Sequence, residues 1–210
     1  MDFGPHFPVI LKPAWEGSSK GIRNRCLVER AEDLAGTLEA LCRDYLQPIL
    51  IEEYIQGEEV TVGIVGNESP TIIGVMQVRS TEPVENFVYS LEVKRDFRRQ
   101  VRYDCPPALP EDVIRSVRQA ALNAYRVLGC RDVARVDFRV RAGVPCFLEI
   151  NPLPGLNPQS SDLVIMAKLC GWSYPQLIES ILSAAFDRQS LANLPGRLST
   201  SRRTQPSLLP

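Results

Sequence analysis

The chain has 210 residues, enough to bury a real core in one large domain or two small ones, and its 44% hydrophobic and 23% charged content is that of an ordinary globular protein. Its 24 Lys and Arg against 25 Asp and Glu leave a formal charge of −1, which argues against bulk attraction to nucleic acid or to a membrane surface. No apolar run approaches the roughly 20 residues of a membrane helix, and the start lacks the pattern of a secretion signal, so the cytoplasm is the expected compartment. Val9 to Lys12 reads as a strand ended by Pro13, followed by a polar, glycine-bearing loop through Gly21. Apolar spacing predicts a helix over Ala31–Tyr45, with Leu34, Leu38, Leu41, Cys42 and Tyr45 on its inner face. Strands are expected at Ile49–Ile51, Val60–Val65 and Ile72–Val78, with turns at Gly66-Asn67 and Ser69-Pro70. Glu82 to Pro107 reads as one long irregular stretch, a functional loop or lid.

Pro110 and Gly129 bracket a predicted helix over Glu111–Leu128. Ala134–Arg141 and Val144–Asn151 read as a hairpin turned at Ala142-Gly143. A helix follows from Asp162 to Cys170, then one opening at Ser173, whose Ser-Tyr-Pro-Gln has the form of a capping box. Its expected buried face is Leu177, Ile178, Ile181, Leu182 and Ala185. From Ser190 the composition turns to Ser, Pro and Arg, which predicts a disordered tail and leaves residues 1–189 as the folded domain.

The composition also narrows the chemistry. Cys26, Cys42, Cys105, Cys130, Cys146 and Cys170 include no CxxC pair and lie mostly among apolar neighbours, as buried free thiols do. His6 is the sole histidine. That set cannot build a typical zinc site or a Ser-His or Cys-His pair, so any metal must be held by oxygen.

Four segments carry chemistry. On the hairpin, Arg135, Asp137 and Arg139 share one face, and Phe147, Glu149 and Asn151 share a face of the next strand. Folding brings Asp137 roughly opposite Glu149, with Asn151 one step along. Facing carboxylates repel, and a hard divalent cation removes the penalty. The competing reading is a solvated hairpin with its acids paired to Arg135 and Arg139. Lys12 to Gly21 has a lysine at a strand end, then Gly17, Ser18 and Ser19, the makings of a phosphate cradle or of a plain surface loop. Glu52 to Glu59 places four acids around Tyr54 and Ile55, either an adenine slot with a ribose-binding carboxylate or an acidic turn. Lys94, Arg95, Arg98, Arg99 and Arg102 suit a cationic lid over phosphates better than a nucleic-acid patch, given the neutral whole.

In this order, "VILKPAWEGSSKGI", "ILIEEYIQGEEVTVGIVG", "CPPALP", "LGCRDVARVDF" and "FLEINPLPGLNP" resemble the D-alanine–D-alanine ligases of the ATP-grasp superfamily. The resemblance runs from Phe7 to about Phe186. It implies an α+β, ATP-grasp fold, here the C-terminal lobe with part of the small nucleotide-binding lobe. It also implies a carboxylate–amine ligation through an acylphosphate, with ATP as co-substrate and Mg²⁺ or Mn²⁺ as the ion. Lys12 and the Gly17-Ser18-Ser19 loop would hold the phosphates. Glu52, Tyr54 and Ile55 would line the adenine slot, and Glu59 would bind the ribose. Asp137, Glu149 and Asn151 would hold the metal. Arg135, Ser18 and Lys94 would act in catalysis, Arg135 on the developing oxyanion and Lys94 on phosphate. Gly155 and Ser160 fall where the family binds its second amino acid.

The family's N-terminal substrate domain and early ATP-binding lysine have no counterpart before Phe7. Lys20 replaces a small apolar residue, Arg95 a tyrosine, and Pro-Leu-Pro-Gly-Leu-Asn a Thr-Ser-Pro-Gly-Met-Thr pattern. The nucleotide and metal residues thus match better than the amino-acid residues. The expected partners are ATP and a small amino-acid-like substrate, with a homodimer or a separate N-terminal-domain chain alongside, and neither nucleic acid nor membrane. A ligase for another amino acid or peptide, or a nucleotide-binding module without catalysis, are the alternatives.

Overall fold

The computed structural model describes residues 7–17 and 21–189, so Ser18, Ser19, Lys20 and the expected tail from Ser190 lie outside the described residues. Alternating apolar residues build two antiparallel sheets. In the smaller, β1 (Val9–Pro13) lies between β2 (Leu27–Val28) and β3 (Ile49–Glu53), and α1 (Ala31–Tyr45) covers one face. Val9, Leu11, Cys26, Val28 and Leu41 fill that interface. Ile10, Lys12, Leu50 and Glu52 alternate onto the opposite side.

The larger sheet runs in the order β6 (Val101–Asp104), β5 (Thr71–Ser80), β4 (Glu58–Val65), β7 (Val133–Arg141), β8 (Val144–Asn151). Val60, Val62, Ile64, Ala134, Val136, Phe138 and Val140 point to one face, where Val113, Val117, Ala121 and Tyr125 of α4 (Glu111–Val127) close the main core. Period-2 alternation sends Glu59, Thr61, Gly63, Arg135, Asp137 and Arg139 to the other face. There α5 (Asp162–Leu169) lies on the sheet, with α6 (Tyr174–Arg188) against it. Ser173 caps α6 as expected: its hydroxyl accepts from the Gln176 N–H at 3.3 Å, and its own N–H donates to Gln176 Oε1 at 2.7 Å.

Several expectations need correction. The stretch 82–107 is not irregular throughout: it contains α2 (Leu91–Arg95), α3 (Phe97–Gln100) and β6, which pairs with β5. These elements of four or five residues are too short for a periodic signal, and their charges hide what apolar residues they bury. The two-residue β2 escapes for the same reason. Cys42 is exposed on α1, because only Leu41 among the five inner-face residues is fully buried. On α6, Leu182 is exposed, and Ala184 takes a buried place beside Leu177.

The hairpin brings Asp137 opposite Glu149 as expected, by way of a register shift that changes the place of Phe147. Ala142 and Gly143 both have positive φ, so a two-residue turn joins β7 to β8, with Arg141 opposite Val144. An unbroken ladder from that turn would set Leu148 against Asp137. The register instead shifts by one residue between Asp137 and Phe138, and Glu149 becomes the partner of Asp137. Phe147 keeps the register of the turn, opposite Phe138 with the rings 6.1 Å apart edge to face, and the extra residue after it means that Phe147 does not share the Glu149 face.

Gly63 and Gly74 lie opposite each other on β4 and β5, directly beneath α5. A Cβ on Gly63 would come within 2.7 Å of Leu163 Cδ1 and 2.9 Å of Met166 Sδ. This bare spot lets α5 approach the sheet and fixes the height at which its first turn meets the polar face. Gly63→Ala is expected to cost about 1–3 kcal/mol by overpacking, seen as a lower urea midpoint at unchanged m-value; an unchanged midpoint would show that α5 has room to move.

Candidate functional site

The polar face of the larger sheet gathers Glu59, Arg135, Asp137, Glu149 and Asn151. Asp137 is the most heavily engaged. Its carboxylate accepts from Arg135 Nε at 2.9 Å and Nη2 at 2.7 Å, from the Thr61 hydroxyl at 2.6 Å, and from Asn151 Nδ2 at 3.3 Å. Asn151 Nδ2 also donates to Glu149 Oε1 at 3.0 Å, and Glu149 lies 3.9 Å from Arg135 Nη2. Burial works to raise the Asp137 pKa, but the Arg135 charge and the hydrogen bonds from Arg135 and Thr61 outweigh it, and the carboxyl is held below its ordinary range. Burial likewise opposes the charge on Arg135, yet Asp137 and Asp162 push its pKa above the usual value. Asp137 is therefore sheltered and paired, with Arg135 as its counter-cation, while Glu149 stands at the margin of the same charge and partly in water.

Asp137, Glu149 and Asn151 offer only hard oxygen donors, and Glu149 is more than half exposed. This set suits Mg²⁺, which takes one or two protein carboxylates together with water and phosphate oxygens. Among the described residues no cluster of three or more His, Cys, Asp or Glu is placed to hold a metal, so such an ion would need Asn151 and a bound phosphate as well. The amide of Asn151 turns its NH₂ toward both acids; as a ligand it would present Oδ1 instead, a half-turn about χ2.

Further along the same face, Glu59 pairs with Arg139 at 2.9 Å. Burial raises the Glu59 pKa against the pull of Arg139. Arg139 also donates to the carbonyls of Gly57 and Phe87, and its guanidinium lies 5.0 Å from the Tyr54 ring centre. Tyr54 is buried and donates its hydroxyl to the Phe87 carbonyl at 2.7 Å, while Ile55 beside it is half-buried. Lys94 on α2 holds its ammonium 4.6 Å from the Tyr89 ring centre and bears electrostatically on both Glu59 and Asp137.

The other residues are more scattered. Lys12 and Glu52 pair with each other on the smaller sheet. Gly17 is exposed, at the edge of the undescribed Ser18 and Ser19. Between β8 and α5, Ser160 is exposed, and Ser161 is the serine packed against Gly155: a Cβ there would meet Ser161 Oγ at 2.8 Å. Sequence reasoning missed Asp162, Tyr89, Tyr103 and Thr61. Asp162 is buried and accepts from Tyr89, Tyr103 and Arg135. An acid at the first position of a helix reads as a partner of the helix dipole, and no local signal distinguishes this one.

The family model described as D-ala D-ala ligase C-terminus matches residues 4–183. A D-alanine–D-alanine ligase of Pelotomaculum thermopropionicum is 33% identical over 181 residues, 86% of this chain and 54% of that protein. The crystal structure of D-alanine–D-alanine ligase from Bacillus anthracis superposes with a TM-score of 0.69 at 27% identity, covering 88% of this chain and 56% of the other. The same enzyme complexed with ATP gives 0.67 at 25% identity, covering 88% and 54%. The chain thus spans about half the length of the curated relatives it matches. These neighbours have the ATP-grasp fold, in agreement with the expected class. Among the described residues no helix is long and apolar enough to cross a membrane.

Removing Arg135 strands the carboxylates beside it. Arg135→Ala is expected to lose about 3–5 kcal/mol at neutral pH, the usual cost of breaking a buried pair from one side. Asp137 has a depressed folded pKa, so its contribution is present above the unfolded value of about 4 and lost as pH falls through the folded one. The deficit should therefore shrink in acid. Urea unfolding at neutral pH and at about pH 2, well below the unfolded value, measures this; an equal deficit at both would mean that charge pairing is not what Arg135 contributes.

Proposed function

The chain belongs to the D-alanine–D-alanine ligase family, and on that premise we propose that it carries the ATP- and magnesium-dependent chemistry of a carboxylate–amine ligase. The observation that carries the reading is the meeting of Asp137, Glu149 and Asn151 with Arg135 on one face of the β7–β8 hairpin. Asp137, Glu149 and Asn151 would hold Mg²⁺, which supplies charge neutralisation to the nucleotide phosphates. Lys12 and Lys94, with Gly17, Ser18 and Ser19, bind phosphate. Glu52, Tyr54 and Ile55 border the adenine, and Glu59 accepts from the ribose hydroxyls.

The reaction moves the ATP γ-phosphoryl group to a carboxylate, giving an acylphosphate. An amine then attacks the acyl carbon and phosphate leaves. No residue becomes covalently linked, so the protein contributes position and charge. Arg135 keeps N–H donors beyond those taken by Asp137, and it stabilises the oxyanion that forms when the amine adds. Gly155 and Ser160 border the incoming amino acid, with Ser161 as the serine that shapes Gly155.

Two outcomes test this reading. Millimolar ATP with Mg²⁺ should raise the melting temperature by mass action, by about 2.7 kcal/mol of added stability at a hundred times Kd. No magnesium-dependent rise would refute it. Glu149→Ala should abolish the magnesium-dependent part of that rise and leave the fold standing, because Glu149 is half-exposed and its loss relieves repulsion with Asp137. Collapse of the apo protein with unchanged nucleotide affinity would make Glu149 a structural residue instead.

A further inference from the structure

Asp162 is the first residue of α5, a helix that otherwise packs apolar side chains onto the sheet, and it is 9% exposed. A carboxylate in such a place must be fully partnered to stay charged. Its Oδ1 accepts from the Tyr89 hydroxyl at 3.0 Å and the Tyr103 hydroxyl at 3.3 Å, and its Oδ2 accepts from Arg135 Nη1 at 3.3 Å. The two hydroxyls are themselves 2.7 Å apart. These partners are side chains from three other segments: the connection before α2, strand β6 and strand β7.

Two consequences follow. Arg135 is gripped on two edges, by Asp137 at Nε and Nη2 and by Asp162 at Nη1. A guanidinium held on one edge can still turn about Nε–Cζ; held on two, it has a fixed plane. Lys94 has no such fork, only a flexible stem. It rests instead on the face of Tyr89, the ring that Asp162 tethers through its hydroxyl. One carboxylate therefore reaches an arginine of the sheet directly and a lysine of α2 through a single ring.

We infer that Asp162 is a positioning residue that sets the Arg135 guanidinium and the Lys94 ammonium relative to each other. Its functional meaning rests on the ligase reading, in which Arg135 faces the oxyanion and Lys94 the phosphate. Its geometry does not. Gly63 and Gly74 serve the same arrangement from below, because they let α5 come close enough for Asp162 to reach both tyrosines and Arg135.

The test uses the whole chain without nucleotide. In ¹⁵N-arginine spectra, with Arg135 identified from its loss in Arg135→Lys, the two Nη signals report rotation about Nε–Cζ. Limited trypsin digestion reports exposure of the bonds after Lys94 and Arg95. Asp162→Asn is expected to speed both the Arg135 rotation and this cleavage on the order of tenfold, the size of one lost hydrogen bond to a charged group. The circular dichroism should stay native. A residue of only structural importance would lower the melting temperature without freeing Arg135 below it. Unchanged rotation and cleavage in folded Asp162→Asn overturn the proposal. If that variant does not fold, Tyr89→Phe decides, since it deletes one hydroxyl and keeps the ring: faster cleavage after Lys94 supports the coupling, and unchanged cleavage overturns it. Failure of wild-type protein to bind Mg-ATP would sink the ligase reading alone, because neither measurement here contains nucleotide.

Discussion

Arg135 carries its charge on a strand face from which water is largely excluded, and the residues around it are arranged so that this charge is never alone. Its side chain is 12% exposed, with Asp137 and Asp162 bonded to it at similar burial. In so low a dielectric an unpaired charge would be far more costly than any single hydrogen bond in the fold. The requirement reaches outward: Thr61 on β4 and Asn151 on β8 donate to Asp137, while Tyr89 and Tyr103 donate to Asp162. Five segments of the chain are thereby fastened to one guanidinium. The face behind it is apolar and packed by α4, so strand β7 separates a dry core from a charged surface by the thickness of one backbone.

The second arginine of that strand repeats the logic with a different purpose. Arg139 pairs with Glu59, lies against the Tyr54 ring, and reaches the Gly57 and Phe87 carbonyls. Gly57 is where β3 hands over to β4, and Phe87 belongs to the connection before α2. Arg139 thus ties the linker between the two sheets to the segment that carries Lys94. The smaller sheet is held to the same segment by the Arg23–Glu92 pair and by the Leu91 N–H, which donates to the Ile22 carbonyl at 2.9 Å. Polar contacts from the connection after β1 thus hold α2 beside the smaller sheet.

Much of this was legible in sequence where elements are long and amphipathic. α1, α4 and the β7–β8 hairpin fall where apolar spacing puts them, and the charged face of the hairpin follows from alternation alone. The expected meeting of Asp137 and Glu149 holds, but alternation and the turn alone do not explain it. A count back from Ala142-Gly143 leads to Leu148, and only the extra residue in β8 delivers Glu149. A bulge shows in periodicity only as a slip of phase, here the adjacent Phe147 and Leu148, and a strand this short does not make the slip recognisable. Asp162 was invisible for another reason. Its importance lies wholly in what meets it from positions 89, 103 and 135, and a helix-opening acid has the same appearance whether it faces water or an arginine.

The bulge in β8 also governs how the molecule meets other chains. β8 forms one margin of the larger sheet, with a row of backbone groups turned away from β7. A straight margin of that kind is a template on which a second polypeptide can add a strand. Here Pro145 removes one N–H from the strand, and the register break at Leu148 twists the remainder out of line immediately before Glu149. An incoming strand would find two short, mismatched stretches instead of one continuous ladder. The irregularity that aims Glu149 at Asp137 therefore also resists intermolecular sheet growth at this margin, and straightening it would be expected to make the protein aggregate as well as to disassemble its charged face.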